Sequence, residues 1–494
     1  MKKLYLLAFA LLSTVGVWAQ EIDCNLLYSM KCISASAHNT TSYIGDDGAT
    51  INGRQSSRLA LIKFELAEEG KYYIKSVTSG NYINYTDANG VAKSTTEKTA
   101  WTLGAMGVNG KTYYHFQKGD TKRYLNNNGG STSGEVQNLQ LNNHINPEIS
   151  QNNACSLWDL IEVINPNKEY AMKCDAADVT HGGANYIKDA DDVISGANSV
   201  GSGFKFEQGD ADGKLYIKSV ISGKYISYNG NNVETANTKE SAKAWYVGVY
   251  DKNRLFFNNG NECLNNNGGT NKLQFAGHGA IPGSSNNCSL WHIEEGSTHE
   301  ITDALWSSIY LDYNAAIPTG VKAYAVSANW AENKAVLTEI TEGALAATNG
   351  YLLSAETAGK YFFAKSTGEA STVTTDLTGS VTDTYVGGDA YVLARVNTNV
   401  GLYKAKLNKD AYGNDAGESG THFKNNANKA YLPAVSSEAR VLTFDFDGNT
   451  ETGINAVEIE EAAPANAAIY DLSGRRVQSA KSGLYIINGK KVIK

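Results

Sequence analysis

The sequence predicts an all-β protein, and three observations carry that prediction. Tyr (29) and Gly (48) are abundant while Pro (6) is scarce, a composition that favours short strands joined by turns over long helices. A short phrase, an aromatic followed by Ile or Leu and then a polar turn, occurs six times. Two long stretches of the chain also match each other in order, so the phrases fall into two groups of three. At 494 residues the chain exceeds one hydrophobic core and divides into several domains.

Residues 1–19 read as a secretory signal. Lys2 and Lys3 form the positive start, Leu4 to Val17 the apolar stretch, and Val17-Trp18-Ala19 a small-x-small cleavage site before Gln20. The apolar run is shorter than the roughly 20 residues a membrane span needs, and no later stretch could span a bilayer. The net charge of −8 is mild and dispersed, which argues against nucleic acid as a partner.

The six phrases are Tyr43-Ile44-Gly45, Tyr82-Ile83-Asn84, Tyr124-Leu125-Asn126, Tyr186-Ile187-Lys188, Tyr225-Ile226-Ser227 and Cys263-Leu264-Asn265. Residues 26–163 and 168–295 are an internal duplication. Met30-Lys31-Cys32 matches Met172-Lys173-Cys174, Tyr73 to Val77 matches Tyr216 to Val220, and Cys155-Ser156-Leu157-Trp158 matches Cys288-Ser289-Leu290-Trp291. Each half divides into three units of about 40 residues, closed by Phe64, Trp101 and Trp158 and by Phe206, Trp245 and Trp291. A unit opens with a strand such as Tyr72 to Val77. Its period-two alternation sets Tyr72, Ile74 and Ser76 on one face and Tyr73, Lys75 and Val77 on the other. It then turns at a Ser-Gly into the phrase. The Ile or Leu of each phrase is the repeating core aliphatic, and the closing aromatics form the matching layer.

Three such units per half resemble a β-trefoil of the ricin-type lectin-like group, a resemblance that covers roughly residues 26–295. A trefoil closes its barrel with its first and last strands in contact, which implies two disulfides, Cys32 to Cys155 and Cys174 to Cys288. Each would be worth up to ~4–5 kcal/mol on the chain-entropy model, and an oxidising compartment permits them. Cys24 and Cys263 either bridge to each other or stay as thiols. In ricin-type lectins an Asp after the aliphatic hydrogen-bonds sugar hydroxyls. Gly45, Asn84, Asn126, Lys188, Ser227 and Asn265 stand there in this chain. The candidate ligand residues are therefore Asn84, Asn126 and Asn265, the turn residues Asn127, Asn128, Asn266 and Asn267, and Tyr85 and Tyr228 as flat faces for a sugar ring. The group's Gln-x-Trp ending is absent: Ile62, Thr99, Ser156, Phe204, Lys243 and Ser289 precede the closing aromatics by two. Turn chemistry is the alternative reading of Asn126 to Gly130 and Asn265 to Gly269, because Asn and Gly tolerate positive φ. Turn chemistry is the stronger of the two readings there, and restriction of the run to the third unit of each half lends the binding reading some support.

Residues 164–167 are too short for a flexible linker, so the two trefoils sit close together. Residues 298–450 read as a β-sandwich-like accessory domain, with strands expected near 304–313, 316–325, 351–353, 361–364, 390–396, 401–406 and 441–446 and a polar loop at 407–420. Its Asn425 to Pro433 run is similar to a phrase common in secreted and surface proteins of Bacteroidota. Residues 451–494 comprise an Ala-rich acidic linker and two segments, Ile469-Tyr470-Asp471-Leu472-Ser473-Gly474 and Leu484-Tyr485-Ile486-Ile487-Asn488-Gly489. They resemble the C-terminal sorting domain of the type IX secretion system of Bacteroidota. That resemblance implies the secretion machinery as a partner, and a protein either released or held on the outer-membrane surface.

Nothing in the sequence assembles a reaction centre. The eight His residues show no metal-ligand spacing, and there is no Cys-x-x-Cys pair or nucleophile elbow. Asp189, Asp191 and Asp192 read as a solvated acidic turn or, with further oxygen ligands, a Ca²⁺ site. The expectation is a non-catalytic, lectin-like protein that needs no metal or cofactor and binds glycans of host or dietary origin. Two other classes stay open. One is a binder of host surface protein or a trefoil protease inhibitor acting through Lys118 to Arg123. The other is an enzyme with its site in 298–450.

Overall fold

The computed structural model describes residues 21–446 and, beyond them, 469–470, 476–477, 484–487 and 490–493. Within the first span it leaves out 34–42, 47–50, 55–58, 86–91, 128–135, 144–153, 176–184, 406–421, 435–438 and some shorter loop segments. The signal at 1–19, the linker at 451–468, the polar loop at 407–420, Asn128, Asp191 and Asp192 lie outside the described residues. The chain forms two compact units, Met1–Phe444 and Asp445–Lys494.

The protein is all-β. Its first half contains six strands that pair in a closed ring. Leu27–Cys32 pairs with Ile62–Glu68, which pairs with Lys71–Ser76. The ring continues through Trp101–Val108 and Lys111–Lys118 to Trp158–Ile164, and this last strand lies antiparallel to the first with Cys32 opposite Trp158. Three hairpins cap the ring, each entered by a phrase: Tyr43–Asp46 with Ile51–Arg54, Tyr82–Tyr85 with Ala92–Thr95, and Arg123–Asn127 with Leu139–Asn143. A closed six-stranded barrel with three hairpins in threefold order is a β-trefoil. The second half repeats it, from Glu169–Cys174 through Phe204–Gln208, Lys214–Ser219, Trp245–Asp251 and Arg254–Asn259 to Trp291–Ile301.

The six aliphatics Ile44, Ile83, Leu125, Ile187, Ile226 and Leu264 are all buried, as are the six closing aromatics. The four Trp rings carry a polar N–H into this core, and a buried donor without an acceptor is costly. Each is satisfied by the carbonyl of the phrase aliphatic: Trp101 by Ile83, Trp158 by Leu125, Trp245 by Ile226 and Trp291 by Leu264, at 2.8–3.1 Å. Phe64 and Phe206, which close the first units, instead stack on Phe116 and Phe257 with centroids 5.5 and 5.7 Å apart.

The Tyr of the phrase has its own repeated partners. Lys31, Lys75, Lys173 and Lys218 sit opposite Tyr43, Tyr82, Tyr186 and Tyr225 across the strand pair. Each ammonium lies 5.2–5.4 Å from its ring centre, within cation–π range. The hydroxyls of Tyr82, Tyr186 and Tyr225 donate to Glu65, Glu294 and Glu207. Burial pushes the Glu65 carboxyl up, but the hydrogen bond from Lys98 and the charge of Lys75 outweigh it and hold it below its usual range. The Ser-Gly turn before the phrase uses left-handed glycines, Gly80 at φ 77° and Gly223 at φ 74°, a conformation that disfavours any Cβ.

The two barrels share apolar packing. Leu59, Leu61 and Val77 of the first lie in one cluster with Val247 and Val249 of the second. Leu59 donates its backbone N–H to Val249 O, and Thr78 Oγ1 donates to Val247 O.

Trp291–Ile301 does not stop at the second barrel. Its far end pairs with Gly359–Ala364, from Gly296 opposite Ala364 to Ile301 opposite Gly359, so one strand belongs to both the trefoil and the next region. Most of the rest of that region is one nine-stranded sheet. The strand Trp306–Tyr310 at one end meets the chain near Lys429–Pro433 at the other: Ser308 Oγ donates to Ala430 O, and the Tyr310 N–H to Asn428 O. Strands at Lys334–Glu339, Thr378–Ser380, Thr384–Gly387, His422–Asn425 and Lys429–Pro433 were not legible in the sequence. In the C-terminal unit the described residues form a four-stranded sheet. Among the described residues no helix is long and apolar enough to cross a membrane.

The structure contains no S–S bond, in contrast to the two bridges expected at the barrel seams. The seams themselves are closed by backbone pairing. Ile33 N donates to Leu157 O, and Asp175 N to Asn287 O and Leu290 O, which places Cys32 beside the Cys155 segment and Cys174 beside the Cys288 segment.

The Trp–carbonyl bonds make a direct prediction. Trp101→Phe removes the N–H and leaves Ile83 O without it, and should lower stability by about 1–3 kcal/mol. Chemical denaturation followed by near-ultraviolet circular dichroism measures this; an unchanged midpoint would contradict the role assigned to the indole.

Candidate ligand site

The residues expected to touch ligand make hydrogen bonds within the fold. Asn126 and Asn265, 4% and 3% exposed, occupy equivalent places and make equivalent bonds. Asn126 Nδ2 donates to Ser156 Oγ at 2.9 Å, and Gln140 donates back to its Oδ1 at 3.0 Å. Asn265 Nδ2 donates to Ser289 Oγ at 3.0 Å and receives Gln274 at 2.9 Å. Ser156 and Ser289 stand where the ricin-type pattern has Gln. Asn84 repeats the theme with Thr99 and Thr95 and also accepts the Tyr85 N–H. Asn127 and Asn266 are fully buried. Asn267 ends its strand.

The two tyrosines are not open platforms. Tyr228 is 6% exposed, stacked on Phe275 at 4.6 Å and edge-on to Trp245 at 4.9 Å. Tyr85 is half-buried, packed edge-on against Trp101 at 5.1 Å with the Lys118 ammonium 4.0 Å above its ring. Asp189 is buried, receives a hydrogen bond from Ser222, and faces no described metal cluster. The structure thus places the predicted residues in four hairpins, those entered at Tyr82–Tyr85, Arg123–Asn127, Tyr225–Asn229 and Glu262–Asn267.

A cleft of about 870 Å³ lies between the two barrels, inside the first compact unit. The first barrel lines it with Ser29, Tyr43 and Glu162, the second with Lys173, Asp175, Asp251, Arg254, His292 and Glu294. Arg254 organises the second wall. Its Nε and Nη2 donate to Asp251 Oδ2 at 2.9 and 2.6 Å, and its Nη1 donates to Asp175 Oδ2 at 2.6 Å. His292 Nε2 lies 3.0 Å from Asp175 Oδ1 and donates to it, since a carboxylate only accepts. Burial pushes the Asp175 carboxyl up, but hydrogen bonds from His292 and Arg254 hold it below its usual range. Opposite them Ser29 Oγ is buried and has no hydrogen-bond partner among the described residues. Sequence reasoning passed over Asp175, Asp251 and Arg254. The signal was present in the duplication, at positions where the halves differ.

A second polar cluster sits in the nine-stranded region. Lys429 Nζ lies 2.9 Å from Ser307 Oγ and 3.1 Å from His299 Nε2, with His299 buried and its pKa pushed down to about 3 by burial and, to a lesser degree, by Lys429.

If the phrase-following Asn residues serve the fold, Asn265→Ala should cost about 1–3 kcal/mol, because Ser289 and Gln274 lose their partner. The same variant, compared with the unaltered protein at matched folded fraction, should keep its glycan affinity. A loss of binding without a loss of stability would restore Asn265 to a ligand-contacting role.

No protein-family model and no curated protein matches this chain. Among solved structures it is similar to a ricin B-like lectin of Macrolepiota procera in complex with lactose, at 16% identity and a TM-score of 0.23, covering 29% of this chain and 100% of that one. It is similar to the hemolytic lectin CEL-III at 10% identity and a TM-score of 0.21, over 63% and 73% of the two chains. It is also similar to a GlcNAcα1-4Gal-releasing endo-β-galactosidase from Clostridium perfringens at 10% identity and a TM-score of 0.25, over 55% and 68%.

Proposed function

We propose that the protein is a non-catalytic carbohydrate binder, exported and either released or held at the cell surface, whose ligands are glycans of host or dietary origin. The observation that carries the reading is the polar cleft between two complete trefoils, where carboxylates, a guanidinium, an imidazole and hydroxyls converge. Sugars are recognised by such fixed donors and acceptors, because each hydroxyl both gives and accepts a hydrogen bond. Fold alone does not assign function, so the cleft matters more than the trefoil architecture. Export rests on the signal-like segment at residues 1–19 and the sorting-domain resemblance of 451–494, with the type IX machinery as the partner of that tail.

A glycan array probed with the purified full chain tests the reading. Saturable binding to a defined set of oligosaccharides is expected. Absence of binding across the array, with protein shown to be folded, would overturn it.

Export also bears on the barrel seams. In an oxidising compartment Cys32 with Cys155 and Cys174 with Cys288 would close the two rings covalently. Mass spectrometry of the secreted protein, digested without reduction, should return both linked peptide pairs. Recovery of all four residues as alkylated thiols would refute this.

A further inference from the structure

We propose that the glycan sits in the cleft between the barrels, against Asp175, Asp251, Arg254 and His292, and that it is a neutral sugar rather than an acidic one. This rests on the carbohydrate-binding reading and gives it a place and a ligand class.

The internal duplication supplies a control. Asp175 follows Cys174 as Ile33 follows Cys32, and His292 follows Trp291 as Asp159 follows Trp158. Tyr114 lies opposite Trp158 and Leu255 opposite Trp291, which aligns Tyr113 with Arg254. At this place the first barrel packs Ile33, Met106, Val108 and Tyr113 around Leu157 and Tyr124. One ion pair, Lys111 with Asp159, sits beside this patch, so a trefoil of this sequence type closes with mostly apolar side chains there. The second barrel, on the same scaffold, carries two carboxylates, a guanidinium and an imidazole. Charged groups replacing an apolar patch carry a desolvation cost, and closure of the barrel does not require them.

The group is also held in place. Arg254 grips Asp251 through two nitrogens and bridges to Asp175 through a third, while His292 fixes the other Asp175 oxygen. Asp251 Oδ2 already accepts twice and its Oδ1 accepts the Arg254 backbone N–H, whereas each Asp175 oxygen accepts one of these bonds and keeps a lone pair, so Asp175 can accept adjacent hydroxyls of one sugar ring without reorganising. Across the cleft Ser29 and Glu162 line the wall given by the first barrel. Tyr43 adds an aromatic ring to the same wall.

Charge decides the class. The cleft is lined by Glu162, Asp175, Asp251 and Glu294 against Lys173 and Arg254, and Arg254 already serves two carboxylates. Among the described lining residues a uronic, sialic or sulfated sugar would meet net negative charge, and the guanidinium there, Arg254, is already engaged.

The test uses the full chain and an array of matched neutral and sialylated or sulfated oligosaccharides. The strongest neutral glycan is then titrated calorimetrically against the wild type and three variants: Asp175→Asn, Arg254→Met, and Asp159→Asn as the control in the first barrel. Circular dichroism establishes that each is folded, and the two cleft variants back each other up should one fail to fold. A tenfold or greater loss of affinity in either folded cleft variant, with Asp159→Asn unchanged, is the expected result. Wild-type affinity in every folded cleft variant would overturn the location while leaving carbohydrate binding intact. Preference for the acidic member of matched pairs would overturn the ligand class. No binding by the wild type to any glycan would overturn the reading on which the proposal rests.

Discussion

The structure depends on one recurring bond, an indole N–H given to the carbonyl of the aliphatic that opens each hairpin. It joins two layers that the chain builds separately. The Trp belongs to the barrel; the Ile or Leu belongs to the cap. A buried indole must place its N–H somewhere, and here the acceptor is the backbone at the point where barrel gives way to hairpin. Trp101, Trp158, Trp245 and Trp291 fix four hairpins this way. In the first unit of each half a Phe stands in for Trp, and a buried aspartate does the joining: Ser76 donates to Asp46 and Ser222 donates to Asp189.

That constraint explains the fate of the residue after the aliphatic. Once the indole has fixed the carbonyl of Leu125 or Leu264, the next side chain, Asn126 or Asn265, lies at the barrel's rim beside the segment carrying the Trp. There it meets a hydroxyl two residues before that Trp, Ser156 or Ser289, or Thr99 beside Asn84. An Asn that both gives and accepts suits this place. A position that faces a sugar in a ricin-type lectin is here a fastening between cap and barrel.

The repeat, the threefold division and the core were legible because they are periodic: buried aliphatics and aromatics recur at fixed spacing, and period-two alternation sets Tyr72, Ile74 and Ser76 inward. The use made of Asn126 and Asn265 was not, because amide chemistry serves a ligand and a neighbouring serine alike. The partners also lie 30 and 24 residues away in sequence and meet only when the barrel closes. Tyr228 looked like a platform because its sequence neighbours are polar, whereas Phe275, from the other strand of the next hairpin, covers its ring. The cleft lay beyond sequence reasoning for a related reason: its two walls come from different barrels, and nothing local marks Tyr43 and Arg254 as neighbours. The shared strand Trp291–Ile301 was hidden because a boundary drawn after the last repeat residue assumes that strands end where domains do.

The two halves thus divide the work. What they share, the phrase, the lysine over its tyrosine and the closing aromatics, builds the scaffold. Where they meet, the second copy carries a charged, hydrogen-bonded group at the place of a mostly apolar patch in the first. The account stands or falls on where a sugar is found. A crystal structure of the full chain with its strongest array glycan should show density between the barrels, within hydrogen-bonding distance of Asp175 or Asp251. Density instead on the hairpin caps, around Asn84 or Tyr85, with the cleft holding only water, would contradict it.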